Sequence, residues 1–195
     1  YKAAIEIEPS YAIAYSGIAY CYIFLWFFNS LPPEKSLPQI KEATQHSLML
    51  DDKIGESHLV IAMMKMWYER DFTSAITVLK QAIELNPGLS ETHQQYAFCL
   101  GFAGNYAEAI KQASIAFSLE PFSLMTNYHF GIIYWIAGNH EKAIGQAKRL
   151  IELEPNFWNG HFLFGLGLMG LKRYEEAVPE WEIMVHQYYA SFSLG

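Results

Sequence analysis

The chain has 195 residues, 52% hydrophobic and 17% charged, with a formal net charge of −7. That share of apolar side chains leaves no case for a disordered chain. Its 13 Lys and Arg residues are scattered without a basic cluster, which argues against direct nucleic-acid contact through grouped cations.

Residues 1–9 read as a tail. Ala4-Ile5-Glu6-Ile7-Glu8-Pro9 matches Ala82-Ile83-Glu84-Leu85-Asn86-Pro87, and the chain does not open on Met. It is therefore expected to begin inside the second helix of an earlier repeat and to be a piece of a longer protein. Residues 10–52 form a long first unit. No charge occurs over residues 10–33, a length that formally meets the criterion for a membrane span. Residues 122–139, at the same place in a later unit, are also uncharged. Both stretches carry Ala and Gly at helical spacing beside Tyr, Ser or Asn, so a buried repeat helix is expected and no membrane span. From Pro9 to Asp52 is 43 residues against 34 later. The excess falls within residues 25–36, where Pro32-Pro33 forces an extended turn before the next helix.

Residues 53–87 follow as a helix pair turning at Glu69-Arg70-Asp71. Residues 88–121 are the clearest unit. A helical apolar period runs over 91–103, and Gly104-Asn105 then breaks it by supplying a left-handed cap. The second helix spans 106–119 and ends at Glu120-Pro121, because proline cannot continue the backbone ladder. Ala109 is placed where the two helices cross. Residues 122–155 turn at Gly138-Asn139 and residues 156–189 at Leu171-Lys172-Arg173, leaving 190–195 as a tail. Pro179 should kink the last helix.

One pattern recurs four times at 34 residues: Phe72…Ala75-Ile76, Tyr106…Ala109-Ile110, His140…Ala143-Ile144 and Tyr174…Ala177-Val178. Pro87, Pro121 and Pro155 keep the same beat. A fixed period of this length marks a stacked helical array. Such arrays hold other molecules, and nothing in their repeat does chemistry.

The order Ala97, Leu100, Gly104, Tyr106, Ala109, Ala116, Pro121 resembles the tetratricopeptide repeat, and the match extends over nearly the whole chain. The resemblance implies an all-α, right-handed superhelical solenoid of roughly five antiparallel helix pairs, one domain over 1–195. Leu59, His93, Asn127 and His161 replace the family's Trp near the start of the first helix, and Asp52 stands where proline is expected. The long first unit, its Leu31-Pro32-Pro33-Glu34 turn and the Tyr68-Glu69-Arg70-Asp71-Phe72 turn are similar to a subgroup. In that subgroup the repeats follow a winged-helix DNA-binding domain or a nucleotide cyclase domain in bacterial regulatory proteins.

Candidates for chemistry are few. Gly165-Leu-Gly-Leu-Met-Gly170 fits the dinucleotide fingerprint by letters, but that motif needs a strand before it, and here it lies inside a repeat helix with Gly165 at a small packing position. No histidine pair has metal-binding helix spacing, so half-buried, hydrogen-bonded histidines are expected. Glu175-Glu176 and Asp51-Asp52 sit at a helix start and a turn without a cleft partner. No catalytic constellation, cofactor or metal is expected. Cys21 and Cys99 lie two repeats apart, on the order of 20 Å, too far for a disulfide. Two buried thiols in a reducing cytoplasm are expected.

In the resembling family the first helices line the concave face. Counted from each proline, the inward positions here include Tyr20, Phe24, Met64, Trp67, Tyr68, Gln94, Gln95, Phe98, Phe102, Tyr128, His129, Ile132, Trp135, Phe162 and Leu166. This face is aromatic with almost no charge. Where some members hold a peptide carboxylate with Lys, Asn and Arg, this chain has Val60, Met64, Gln94, Phe98, Tyr128 and Ile132, so no such clamp is expected. Two explanations of the aromatic face stand. The rings pack between repeats, or they receive an apolar segment of a protein or peptide with Trp67, Phe98 and Trp135 as anchors. The leading reading is a non-enzymatic interaction scaffold. The alternative is the regulatory part of a signalling or transcription protein whose output domain lies upstream. Incomplete terminal repeats also leave self-association open.

Overall fold

The computed structural model of this chain describes residues 1–193. Among the described residues there are α-helices and no strand. They are α1 (Lys2–Ile7), α2 (Ala12–Phe27), α3 (Pro33–Leu50), α4 (Gly55–Met63), α5 (Phe72–Leu85), α6 (Ser90–Phe102), α7 (Tyr106–Leu119), α8 (Leu124–Ile136), α9 (His140–Leu153), α10 (Trp158–Gly170) and α11 (Tyr174–Ser193). The helices α5, α7, α9 and α11 open at the four positions of the 34-residue pattern.

Local chemistry sets the ends. α5, α7 and α9 each stop two residues before a proline of the period, and the N–H groups of Asn86, Glu120 and Glu154 close the last turns onto Ala82, Ala116 and Leu150. The inner turns share one backbone position in the left-handed region: Arg70 (φ 58°), Gly104 (80°), Gly138 (75°) and Lys172 (61°), 34 residues apart throughout. In three of them an N–H reaches back five residues, from Asn105 to Leu100 at 2.8 Å, Asn139 to Tyr134 at 2.8 Å and Arg173 to Leu168 at 2.9 Å. The turn at Arg70 is built differently. α4 runs on into a π-wound turn, Met64–Tyr68, where Glu69 N–H donates to Met64 O (3.0 Å) and Asp71 N–H to Lys65 O (2.8 Å). The winding changes just after Met63, which sits in the register filled by Ala97, Gly131 and Gly165 in later units.

The chain divides within the first turn of α6 into two compact units, residues 1–92 and 93–195. In the first, α2 packs along α3, α4 meets α2 and α5, and α1 lies on α2. Ala14 and Ala19 let α2 approach its neighbours, and Ile23, Ile40, Leu59, Val60 and Leu79 fill the interior. A buried hydroxyl relay joins three helices. Ser57 Oγ donates to Ser47 Oγ, which donates to Ala12 O, each at 2.8 Å. In the second unit α8 packs on α7 and α9, and α10 on α8, α9 and α11. Its core is Ala143, Ala147, Leu150 and Leu163, and a smaller cluster joins Ile144, Leu168 and Ala177.

Small residues sit at the crossings, as the repeat predicts. A Cβ on Gly131 would come within 2.2 Å of Leu163, and one on Gly165 within 2.1 Å of the Trp181 indole. The glycine-rich run at 165–170 is therefore packing surface inside α10. Ala109 is buried. One expectation resolves differently. Cys99 is buried, but Cys21 is exposed, because the six-residue α1 covers only part of α2. α11 contains Pro179. α11 continues to Ser193, while residues 194–195 lie outside the described residues. No described helix is long and apolar enough to cross a membrane.

Candidate functional site

In the first unit, the expected residues Tyr20, Phe24 and Trp67 join a ring cluster at the end of α2. Tyr20 meets Phe24 edge-on (4.9 Å between centroids), and Phe24 stacks on Phe28 (6.0 Å). The π-wound turn carries Trp67 against Phe27 (5.5 Å) and Tyr68 against Trp26 (6.0 Å), both edge-on. Phe24, Phe27, Phe28 and Tyr68 remain exposed. Trp26, Phe27 and Phe28 were not singled out from the sequence. Their signal was present as an unbroken aromatic run just before the Pro-Pro turn. Met64 stands apart from this cluster. It is buried and lines a cleft between α3 and α4.

In the second unit, Phe98 is buried and stacks on the half-exposed Phe102 (6.2 Å). Tyr128, Ile132 and Trp135 pack on the core of Ala143, Ala147, Leu150 and Leu163. The Trp135 indole N–H donates to Leu166 O (3.1 Å), tying α8 to α10. Trp181 ties α11 to α10 in the same way, donating to Phe162 O (3.4 Å). Burial raises the Tyr128 phenol pKa, an effect opposed by its hydrogen bond to Asn159.

A line of polar groups runs beside these rings. Thr126 Oγ1 donates to Glu120 Oε2 (3.1 Å), so its oxygen accepts from Gln94 Nε2 (3.1 Å). Gln94 Oε1 is thereby turned to His129, whose Nδ1 must donate to it. A neutral ring protonated at Nδ1 keeps Nε2 as an acceptor. Burial holds this ring neutral, pushing its pKa down to about 4. His129 lies edge-on to Phe98 (5.2 Å). The histidines that replace the family's Trp are also partnered. His93 Nδ1 meets Gln112 Oε1 (2.7 Å), and His161 Nδ1 meets Glu180 Oε2 (2.7 Å), the same pairing 68 residues on. Asn127 donates to the carbonyls of Pro121 (3.0 Å) and Ser123 (2.8 Å). The two histidines and the Asn127 amide N–H groups are thus partnered in the interior, while Asn127 Oδ1 is buried without a partner. Among the described residues no three His, Cys, Asp or Glu side chains gather to hold a metal ion.

A tetratricopeptide-repeat family model matches residues 78–111. In three dimensions the chain is similar to a MamA fragment from Desulfovibrio magneticus RS-1, with TM-score 0.65, 16% identity and 92% of this chain and 96% of that one covered. Residues 78–111 thus match a tetratricopeptide repeat, and the chain shares the helical-repeat fold of these proteins. Two further repeat proteins share the fold. PilF of Pseudomonas aeruginosa aligns with TM-score 0.70 and 15% identity over 90% of this chain and 76% of its own. YrrB, described as a TPR protein with an unusual peptide-binding site, aligns with TM-score 0.59 and 17% identity over 95% and 91%. No curated relative matches the sequence. At these identities the likeness carries the repeat fold and no more.

Proposed function

We infer that this chain is a non-enzymatic protein-interaction scaffold whose first helices receive a mostly apolar segment of a partner. The supporting observation is that each unit leaves aromatic rings open to solvent, just after α2 in the first and on α6 in the second. Phe28 is 73% exposed and Phe102 50%, and each stacks on a neighbouring ring. Ordered rings with an open face supply large contact area at low entropic cost, which is why aromatic anchors dominate interfaces. Tyr128, Ile132 and Trp135 are assigned here to holding the repeats together, and Phe24, Trp67 and Phe102 to contact. The peptide-binding site named for YrrB is a precedent for such a role in this fold.

Phe28→Ser and Phe102→Ser together are expected to keep the helical circular dichroism spectrum and to lose the polypeptides that the native chain retains from lysate. Undiminished retention would overturn the assignment. Self-association through the same rings is read by sedimentation of both forms.

The regulatory alternative rests on the long first unit and its Pro32-Pro33 turn, which opens α3 with Pro33 at its first position. Sequencing the gene ahead of Tyr1 decides it: a winged-helix or cyclase domain supports it, and further repeats refute it.

A further inference from the structure

The cleft beside Met64 is a second feature, separate from the aromatic cluster. It lies between α3 and the α4 helix with its π-wound turn, and its volume is about 540 Å³. Ligand sites for small organic molecules typically span about 300–1,000 Å³. α3 meets α4 at only a few positions, whereas α7 meets α8 and α9 meets α10 far more extensively. A second helix and the following first helix, closely packed in the other unit, are here held apart.

The chemistry of the cleft is two-sided. Ile40, Val60 and Met64 form a buried floor, and Ile61 stands on the wall. The floor's hydroxyl, on Thr44, already donates to Ile40 O at 2.7 Å. An occupant of the interior therefore finds no free donor on the floor and only the Thr44 oxygen as an acceptor, a lining suited to an apolar group. An extended peptide would strand its own N–H and C=O groups against that floor. Lys41, Lys65 and Glu69 line the mouth, two cations against one carboxylate in an acidic chain. Lys41 has no ion-pair partner among the described residues, and Lys65 meets Glu69 at 3.6 Å across an exposed gap. Exposed pairs of that kind hold weakly and exchange readily.

We propose that this cleft binds a small amphiphile with an acyl chain and a single anionic head group, the chain lying on Ile40, Val60 and Met64 and the head on Lys41 and Lys65. The acyl chain removes apolar floor from water without needing a polar partner. The head gains two ammonium groups at a solvent-facing rim, where a carboxylate keeps part of its hydration.

The test is titration of the whole chain with dansyl-undecanoate below its micelle threshold, followed by dansyl emission and displaced by dodecanoate. One saturable site per chain is expected. Ile61→Trp, which fills the cleft, and Gln45→Trp, which caps its exposed mouth, should each weaken binding by at least roughly tenfold. Lys41→Glu with Lys65→Glu should do the same while leaving the affinity for the uncharged dansyl-undecanamide unchanged. Circular dichroism identifies any variant that fails to fold, and Gln45→Trp, being at the surface, keeps the test decisive if Ile61→Trp does. Non-saturable binding, equal affinity for dodecyltrimethylammonium, or retention of full affinity in the folded Gln45→Trp chain would overturn the proposal.

Discussion

His129 owes its state to atoms that its own position does not announce. Its tautomer is set by Gln94, 35 residues away, which is itself oriented by Thr126 and Glu120. No pattern around residue 129 encodes that chain of donors, so the sequence shows a histidine on an aromatic face and nothing of its proton. The structure makes a pH statement. Unfolded, the ring takes a proton near 6.5; folded, burial delays this to about 4. Between these values the unfolded chain binds more protons, so this contribution to stability is complete above 6.5 and is lost as pH falls towards 4. The loss amounts to roughly 3 kcal/mol at most. Urea unfolding followed by tryptophan fluorescence should show His129→Gln losing less stability than the native chain between neutral pH and about pH 5. Identical losses would mean that the ring titrates normally. The site of the proton is checked by long-range proton–nitrogen correlation spectra, which should place it on Nδ1.

At the scale of the element, the inner turns offer a controlled comparison. The same left-handed position holds Arg70, Gly104, Gly138 and Lys172. A side chain there crowds the following carbonyl, and glycine does not. Lys172→Gly is expected to stabilise the chain by about 0.5–1 kcal/mol and Gly104→Lys to destabilise it by a similar amount, as read from denaturant midpoints. Trp135 belongs to a different class. Removing its indole empties the contact between α8 and α10 and deletes the bond to Leu166 O, so Trp135→Ala should cost about 3 kcal/mol or more. An unchanged midpoint with lost partner capture would instead restore Trp135 as a contact residue. Helix starts at Phe72, Tyr106, His140 and Tyr174 were legible because an apolar period records which face is covered. The direction of Met64 was not. Period says that a side chain turns inward, but which neighbour it meets depends on how far helices stand apart and how the turn is wound. Neither the π-wound turn nor the gap between α3 and α4 leaves a mark in spacing alone.

At the scale of the whole molecule, the two compact units each hold one thiol in a different setting. Cys21 is exposed in the first, while Cys99 is enclosed in the second and burial pushes its pKa up to about 12. A thiolate-seeking disulfide reagent should modify Cys21 promptly and Cys99 only when the second unit opens. The slow phase should accelerate in Trp135→Ala and leave the fast one unchanged; equal rates for both thiols would contradict the burial. Arg70 and Lys172 have a practical consequence of their own. They place a trypsin-recognised side chain at an exposed hairpin tip, where Gly104 and Gly138 offer none. Brief digestion should therefore nick the polypeptide first at those two turns, after Arg70 and after Lys172 or Arg173, and mass spectra of the pieces would show the α6–α7 and α8–α9 hairpins whole.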